Sequence, residues 1–492
     1  MNKPSAIAFT GDMRSRASSR KVRHWVATLI LMLSDAVIFA LAGLVFRAGR
    51  HMPAFMLFHG VSRNGPVLDE YSLLVFFYIV VRYLAGDYAK RVPFWDTTRR
   101  STSALLVIGG LDLTFQFMMH QTYPWILVAA MWLLLLPAIP VARQATKRIL
   151  SRLGLWRIPT ILIGGGDQVG EVVDALDNST GLGFEVRHVV LTDGSELEAA
   201  LGERRLSAIA DPTAIARLAA NTGCTQAVLA MDDLPRMSEI MQHLIGLNFD
   251  ITVIPPFRRL PLFGMSTNVF FGKDIVLLQM RNNLSRVPSR VMKRIVDILG
   301  SASLLVLFAP LFAALIILIR RDSPGPAFFI QTRVGRHGRE FGCIKFRTMQ
   351  VDAERIMSNW EKSHPEMIEK YRANNFKLAD DPRISRVGRW LRRTSLDELP
   401  QLVNVLIGRM SLTGPRPLLP REIPVYGTAI ELYKRVAPGI TGLWQISGRS
   451  NTTFRDRVMY DEWYIKNWSM WYDIVIMLRT VRVVFSHRSG AL

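Results

Sequence analysis

Four apolar stretches follow one another near the start of the chain, at residues 24 to 46, 71 to 87, 102 to 119 and 123 to 141. Each is near the ~20 residues that carry a helix across a bilayer, a length that buried core helices also reach. The third, which holds Asp112, fits a span least well. From about residue 157 the pattern changes. Short apolar runs at Ile158–Ile163, Glu185–Leu191, Gln226–Ala230 and Asp250–Ile254 alternate with helical spacing. That alternation predicts a small parallel α/β sheet of Rossmann-like kind. A further apolar run, residues 301 to 319, is about long enough to span, but Pro310 sits in its middle. Proline removes a helix hydrogen bond and kinks or breaks the helix. Beyond it come short strands at 328 to 332 and 341 to 346 around the turn Gly335–Gly338, then a long aromatic-rich helical segment at about 454 to 485.

Charge adds topology. Basic residues cluster before the first apolar stretch, between the second and third (Lys90, Arg91, Arg99, Arg100) and after the fourth (Arg143, Lys147, Arg148, Arg152), whereas the turn 120–123 carries no Lys or Arg. By the positive-inside rule both ends of a four-helix bundle would face the cytoplasm. Residues 301 to 319 have basic residues on both flanks: Arg290, Lys293 and Arg294 before, Arg320 and Arg321 after. A re-entrant helix-break-helix at 291–320 keeps both flanks inside; a kinked spanning helix is the alternative. The expected organisation is therefore a basic, irregular tail at 1–22, four transmembrane helices within 23–150, a Rossmann-like α/β domain at 151–280 and a catalytic domain at 281–492. Trp463, Trp468 and Trp471 lie among basic residues, which suits amphipathic helices at a lipid–water boundary or an aromatic core.

Composition narrows the partners. Hydrophobic residues make up 49% of the 492 positions, and the net charge is +21. Mean hydropathy is +0.19, high for a soluble enzyme. The cations are scattered and flank apolar runs, which favours lipid headgroups and phosphates over nucleic acid. Cys224 and Cys343 are the only cysteines and have no metal-ligand spacing. No cleavable signal peptide is expected, since no small-residue cleavage site follows a short apolar core.

Two stretches carry candidate chemistry. After the first strand of the α/β region, Gly164-Gly-Gly-Asp-Gln-Val-Gly170 departs from the Gly-x-Gly-x-x-Gly dinucleotide loop, because position 169 is Val169. A structural or regulatory α/β domain is the preferred reading over an NAD site. In Arg389–Leu402, the adjacent acids Asp397 and Glu398 follow Arg389, Arg392 and Arg393, and Leu391, Leu396, Leu399 and Leu402 fit one helical face. Arginines grip phosphate oxygens through forked hydrogen bonds, and a carboxylate can attack phosphorus or bind a divalent cation. Taken alone, such a pair is also what a solvated, charge-paired helix surface looks like.

The order of blocks adds to this. Lys293-Arg-Ile-Val-Asp297, Lys345-Phe-Arg-Thr-Met349, the stretch Arg389–Leu402, Gly408–Leu418 and Pro438–Arg449 together resemble the bacterial polyprenyl-phosphate sugar transferases, the monotopic phosphoglycosyl transferases. The resemblance covers residues 287 to 492; the part before it is more loosely similar to the large, multi-spanning members. It implies transfer of a hexose 1-phosphate from a UDP-sugar to undecaprenyl phosphate at the cytoplasmic face of the bacterial inner membrane, with Mg2+ and a homodimer. It implies Asp397 as nucleophile and metal ligand, Glu398 as its helper, and Lys345, Arg347, Arg392 and Arg416 as phosphate-binding residues. Lys293, Arg294 and Asp297 would meet lipid phosphate or the membrane interface, and Pro310 would make the re-entrant break. Two positions depart from the family pattern: Ala309 stands where Ser often precedes the proline, and Ala437 where Arg usually precedes Pro438, with Arg435 two residues earlier. The tail is most similar to galactose phosphotransferases, with glucose as the runner-up. A membrane-bound NAD-dependent dehydratase would need a Tyr-x-x-x-Lys pair, but residues 171 to 286 contain no tyrosine. A non-enzymatic scaffold of polysaccharide assembly would have no need of the acid pair.

Overall fold

Helix α1 (Ala6–Gly49) starts inside the basic stretch expected to be irregular, and runs on through the first apolar segment. Helices α2 (Val67–Leu84), α3 (Phe94–Met118) and α4 (Trp125–Arg152) follow. In the computed structural model the described residues are 6–49, 67–118, 125–165, 168–179, 181–193, 205–209, 211–247, 249–255, 265–269, 276–279, 284, 286–351, 353, 355, 381, 383–447 and 453–485. The turn 120–123, positions 166–167 of the glycine loop and positions 280–283 and 285 lie outside them. The chain divides into two units, Met1–Phe257 and Arg258–Leu492.

In the first unit, Phe39 of α1, Tyr78 of α2, Leu105 and Ile108 of α3, and Trp132, Leu135 and Ile139 of α4 share one buried cluster. Large apolar side chains also face outward, among them Leu33, Phe76, Leu106, Phe117 and Leu133, whereas Asp35, Arg82 and Arg143 are buried. Apolar outside with paired charge inside is the pattern of a protein surrounded by lipid. Segments Val22–Val45, Phe94–Met118 and Trp125–Arg152 are long and apolar enough to cross a membrane; the second apolar stretch, Tyr71–Leu84, is shorter. The inner charges are neutralised locally. Arg143 pairs with Asp35 at 2.6 Å, Tyr88 donates to the same carboxylate at 2.8 Å, and Arg82 pairs with Asp87 at 2.7 Å.

The α/β region is a five-stranded sheet in the order β3-β2-β1-β4-β5, all parallel. Its strands are β1 (Ile158–Gly164), β2 (Phe184–Leu191), β3 (Arg205–Ala208), β4 (Gln226–Ala230) and β5 (Asp250–Val253). Helices α5 (Gln168–Asp177), α6 (Pro212–Asn221) and α7 (Leu234–Gly246) cover it. Strand alternation divides β1 between two cores: Ile161 and Ile163 pack with α6 and α7, and Leu162 packs with α5. Strand β3 escaped the sequence reading because its burial is slight and its apolar run short.

The second unit begins with the hairpin β6 (Ser266–Val269) and β7 (Val276–Gln279). Helices α8 (Val287–Leu307) and α9 (Ala309–Asp322) are bent by 61° at their junction. The break falls at Phe308, and Pro310 occupies the first turn of α9. There its missing N–H would have no intrahelical acceptor anyway. Then come the hairpin β8 (Phe328–Val334) and β9 (Glu340–Phe346), α10 (Arg386–Thr394), α11 (Gln401–Leu406), β10 (Ser411–Thr413) paired in parallel with β11 (Gly439–Thr441), α12 (Leu443–Ser447), α13 (Phe454–Lys466) and α14 (Met470–Phe485). The expected single segment at 454 to 485 is thus two helices. Asn404, fully buried on α11, ties that helix to β9: its Oδ1 accepts from Ile344 N–H at 2.9 Å and its Nδ2 donates to the Gly342 carbonyl at 2.8 Å. Gly388 lets α10 lie on the chain after β9, because a Cβ there would sit 2.0 Å from the Thr348 carbonyl oxygen.

Candidate active site

Local geometry places the acid pair at a chain reversal. Ser385 caps α10 by accepting from Gly388 N–H at 3.0 Å. The helix ends at Ser395, whose φ of 57° is left-handed, uncommon for a residue with a Cβ. A single 3-10 turn, Leu396–Glu398, then leads to Pro400 and α11. The expected continuous helical face across Leu391, Leu396, Leu399 and Leu402 is therefore corrected. Leu391 packs with Leu315, Ile319 and Phe346, Leu402 packs with Cys343, Val405 and Met410, and the acids sit at the joint between these cores.

The two acids differ electrostatically. Lys345 Nζ donates to Glu398 Oε1 at 2.8 Å. Burial alone would raise the Glu398 pKa, but Lys345 and then Arg416 outweigh it and hold the group well below the usual carboxylate range. Asp397 is shifted the other way: burial, then the charge of Glu398, raises its pKa against the pull of Lys345 and Arg392. Glu398 lines a narrow cleft with Arg333, Lys345, Gln401, Arg416 and Gln445. Asp397 is not part of that lining; it feels Arg392, whose Nε donates to Thr348 Oγ1 at 2.9 Å.

Other expected site residues serve the scaffold. Arg347 donates to the carbonyls of Ser323 and Pro324, just after α9, and is buried. Lys293 pairs with Asp473 at 2.6 Å and donates to the Thr413 carbonyl at 3.0 Å. Arg294 closes the last turn of α11 through the carbonyls of Val405 and Leu406, at 2.6 and 2.7 Å. Asp297 is buried and accepts from Ser411 Oγ and Leu412 N–H, both at 2.9 Å. These three residues tie α8 to α11, β10 and α14. Trp468 is likewise core, donating to Asp473 Oδ2 at 3.0 Å, whereas Trp463 is exposed.

Three residues at or beside the cleft went unnoticed in the sequence. Arg333 is buried beside the cleft; its Nη1 donates to the Pro417 carbonyl at 2.9 Å, and its Nε has no partner among the described residues. The hairpin register pairs Gln331 with Cys343 and Phe329 with Lys345. Strand alternation therefore puts Arg333 on the face of Lys345, a signal the sequence does contain. Arg457 is buried under Trp444 and Phe454, at 5.4 and 5.0 Å from their ring centres, and donates to the Arg416 carbonyl at 3.4 Å. It thereby supports the Pro-flanked loop that presents Arg416. Gln401 is the third.

Residues 288–487 match the family described as bacterial sugar transferase. The chain is 35% identical over 491 residues to the undecaprenyl-phosphate galactose phosphotransferase of Salmonella typhimurium, covering 96% of this chain and 98% of that protein. It is 42% identical over 198 residues to the exopolysaccharide production protein ExoY of Rhizobium meliloti, covering 40% of this chain and 87% of the relative. Over 263 residues it is 37% identical to the undecaprenyl-phosphate glucose phosphotransferase of Komagataeibacter xylinus, 51% of this chain and 46% of the relative. With likeness across nearly the whole of a full-length relative, the chain belongs to the bacterial sugar transferase family and is an enzyme.

Proposed function

We propose that the enzyme transfers a hexose 1-phosphate, galactose 1-phosphate in the first instance, from a UDP-sugar to undecaprenyl phosphate, the opening membrane step of O-antigen, capsule or exopolysaccharide synthesis. The observation that carries this reading is the acid pair at the chain reversal, with Glu398 held by Lys345 at the wall of a cationic cleft. Galactose rests on the name of the full-length Salmonella relative; the glucose enzyme is matched over about half of either chain. In the first step an Asp397 oxygen attacks the phosphorus that bears the hexose. The bond from that phosphorus to the bridging oxygen breaks, and UMP leaves with the electron pair. In the second, a phosphate oxygen of undecaprenyl phosphate attacks the same phosphorus and the aspartyl oxygen leaves, restoring the carboxylate. Lys345 and Arg416 face the phosphoryl oxygens and offset charge that grows on them.

Among the described residues no cluster of three or more His, Cys, Asp or Glu could hold a metal. Magnesium commonly uses one or two carboxylates plus substrate phosphates, and Asp397, the acid not bonded to Lys345, fits that role. Bound there, the ion would neutralise phosphoryl charge. A second reading exchanges the acids, with Glu398 as nucleophile, because Glu398 lines the cleft and is the more readily ionised.

The test is incubation of the full chain with hexose-labelled UDP-sugar and no lipid acceptor. Label should stay on the protein with stoichiometric UMP, and peptide mapping should find it on Asp397. Label on Glu398 would establish the second reading, and UMP release without protein label would overturn both. The same reading sets α1–α4 across the inner membrane and has α8–α9 enter and leave on the cytoplasmic face, in a homodimer. The 61° bend and the basic flanks support the re-entrant path of α8–α9. Cysteines placed at Ser289 and Ser323 should then react only from the cytoplasmic side; outside labelling of either would make the pair a span.

A further inference from the structure

One cleft residue has no part in the phosphate chemistry above. Gln401, first residue of α11, is 2% exposed, and its side chain lines the cleft beside Glu398, Lys345 and Arg416. Among the described residues no hydrogen bond engages its amide. The other buried amide of the same helix, Asn404, makes two hydrogen bonds to β9. The Gln401 amide atoms are not among the fully buried, unpartnered ones, so they open onto the cleft. An amide at the wall of such a cleft can pair with what enters. A second amide, Gln445, lines the same cleft, its Nε2 3.5 Å from the Ile440 carbonyl.

The chemistry of the group narrows the ligand. Phosphoryl oxygens only accept, and Lys345, Arg333 and Arg416 already supply donors for them. An amide donates and accepts, as a sugar hydroxyl does. The uracil ring also donates and accepts, but in a UDP-sugar it is separated from the reacting phosphorus by the second phosphate and the ribose. The hexose is joined to that phosphorus through a single oxygen. Gln401 lies three residues after Glu398 and lines the same narrow cleft, so the nearer group, the hexose, is the one within its reach.

We propose that Gln401 binds the donor hexose by exchanging hydrogen bonds with a ring hydroxyl, so that its cleft-facing amide gains a fixed partner when sugar is bound. This rests on the transferase reading and assigns it a sugar-recognising residue.

Two measurements on the full chain in detergent or lipid test it. In the first, binding of UDP-galactose and of UDP is compared for the wild type, Gln401→Leu and Gln401→Asn. The wild type should bind UDP-galactose more tightly than UDP. Gln401→Leu should lose that increment, on the order of ten-fold or more, with UDP affinity unchanged, and Gln401→Asn should recover part of it. In the second, kcat/KM for UMP release is measured with UDP-galactose, UDP-glucose and galactose donors lacking one hydroxyl each. Removal of one particular hydroxyl should cost the wild type on the order of ten- to a hundred-fold and cost Gln401→Leu little. Equal loss of UDP and UDP-galactose binding in Gln401→Leu overturns the proposal, as does an unchanged penalty for every missing hydroxyl. Hexose-dependent binding without UMP release would sink the transferase reading while leaving Gln401 as a sugar ligand. A wild type that binds no UDP-hexose would overturn both.

Discussion

Two lysine–carboxylate pairs within one unit show how similar groups serve different ends. Lys293 and Asp473 are closed in. Asp473 also accepts from Tyr464 at 2.7 Å and Trp468 at 3.0 Å, and Lys293 spends another donor on the Thr413 carbonyl. Every strong partner is protein, and the pair joins α8 to α14. Lys345 and Glu398 share one contact of the same kind at 2.8 Å, yet they border a cleft lined also by Arg333, Arg416 and Gln401, whose amide makes no hydrogen bond among the described residues. The first network is satisfied on folding; the second has valence to spare. Polar groups left without protein partners at a cleft are candidates for ligand contact.

The comparison breaks most sharply at the acids. Asp397→Asn should lower UMP release and protein labelling by at least on the order of 10³-fold, with thermal unfolding nearly unchanged; retention of near-normal release would return the acid pair to a surface role. Lys345→Met comes next: kcat/KM should fall on the order of 10²-fold, again with little change in melting, since Glu398 keeps Arg416 and Arg333 nearby. Asp473→Asn should do the opposite. It strands Lys293 in a mostly buried site and should cost about 2–4 kcal/mol, read as a lower Tm, while the folded fraction keeps its turnover. A large loss of kcat at unchanged Tm would show that the closed network reaches the chemistry.

A smaller effect sharpens the open network. The Asp397 pKa is raised, by burial and then by Glu398, so its ionised, attacking form is lost as pH falls through that raised value. The acid limb of covalent labelling should lie above the ordinary carboxylate value of about 4. Glu398→Gln removes a like charge and releases Lys345, and both changes favour ionised Asp397. In the residual activity of that variant the acid limb should move to lower pH; movement to higher pH would mean that the titrating group is not Asp397.

Much of this protein was written locally. Apolar run length marked the helices, and short continuous apolar runs marked four of the five strands of the α/β sheet, because strands covered on both faces are apolar throughout. The order of short motifs, and the acid pair within them, pointed to the family now found along nearly the whole chain. What sequence could not supply was the destination of each cation. Arg347 and Arg294 read alike in a string of letters, and only the structure shows their donors on the carbonyls of Ser323 and Pro324, and of Val405 and Leu406. Arg333 looked like an ordinary strand residue, yet the hairpin carries it to the cleft. Gln401 was hidden in a leucine-rich motif until the turn at Ser395 put its amide beside Glu398. Hydrogen-bond capacity is a property of the residue, but whether it is consumed is decided by groups tens or hundreds of positions away, and only the tertiary structure brings them together.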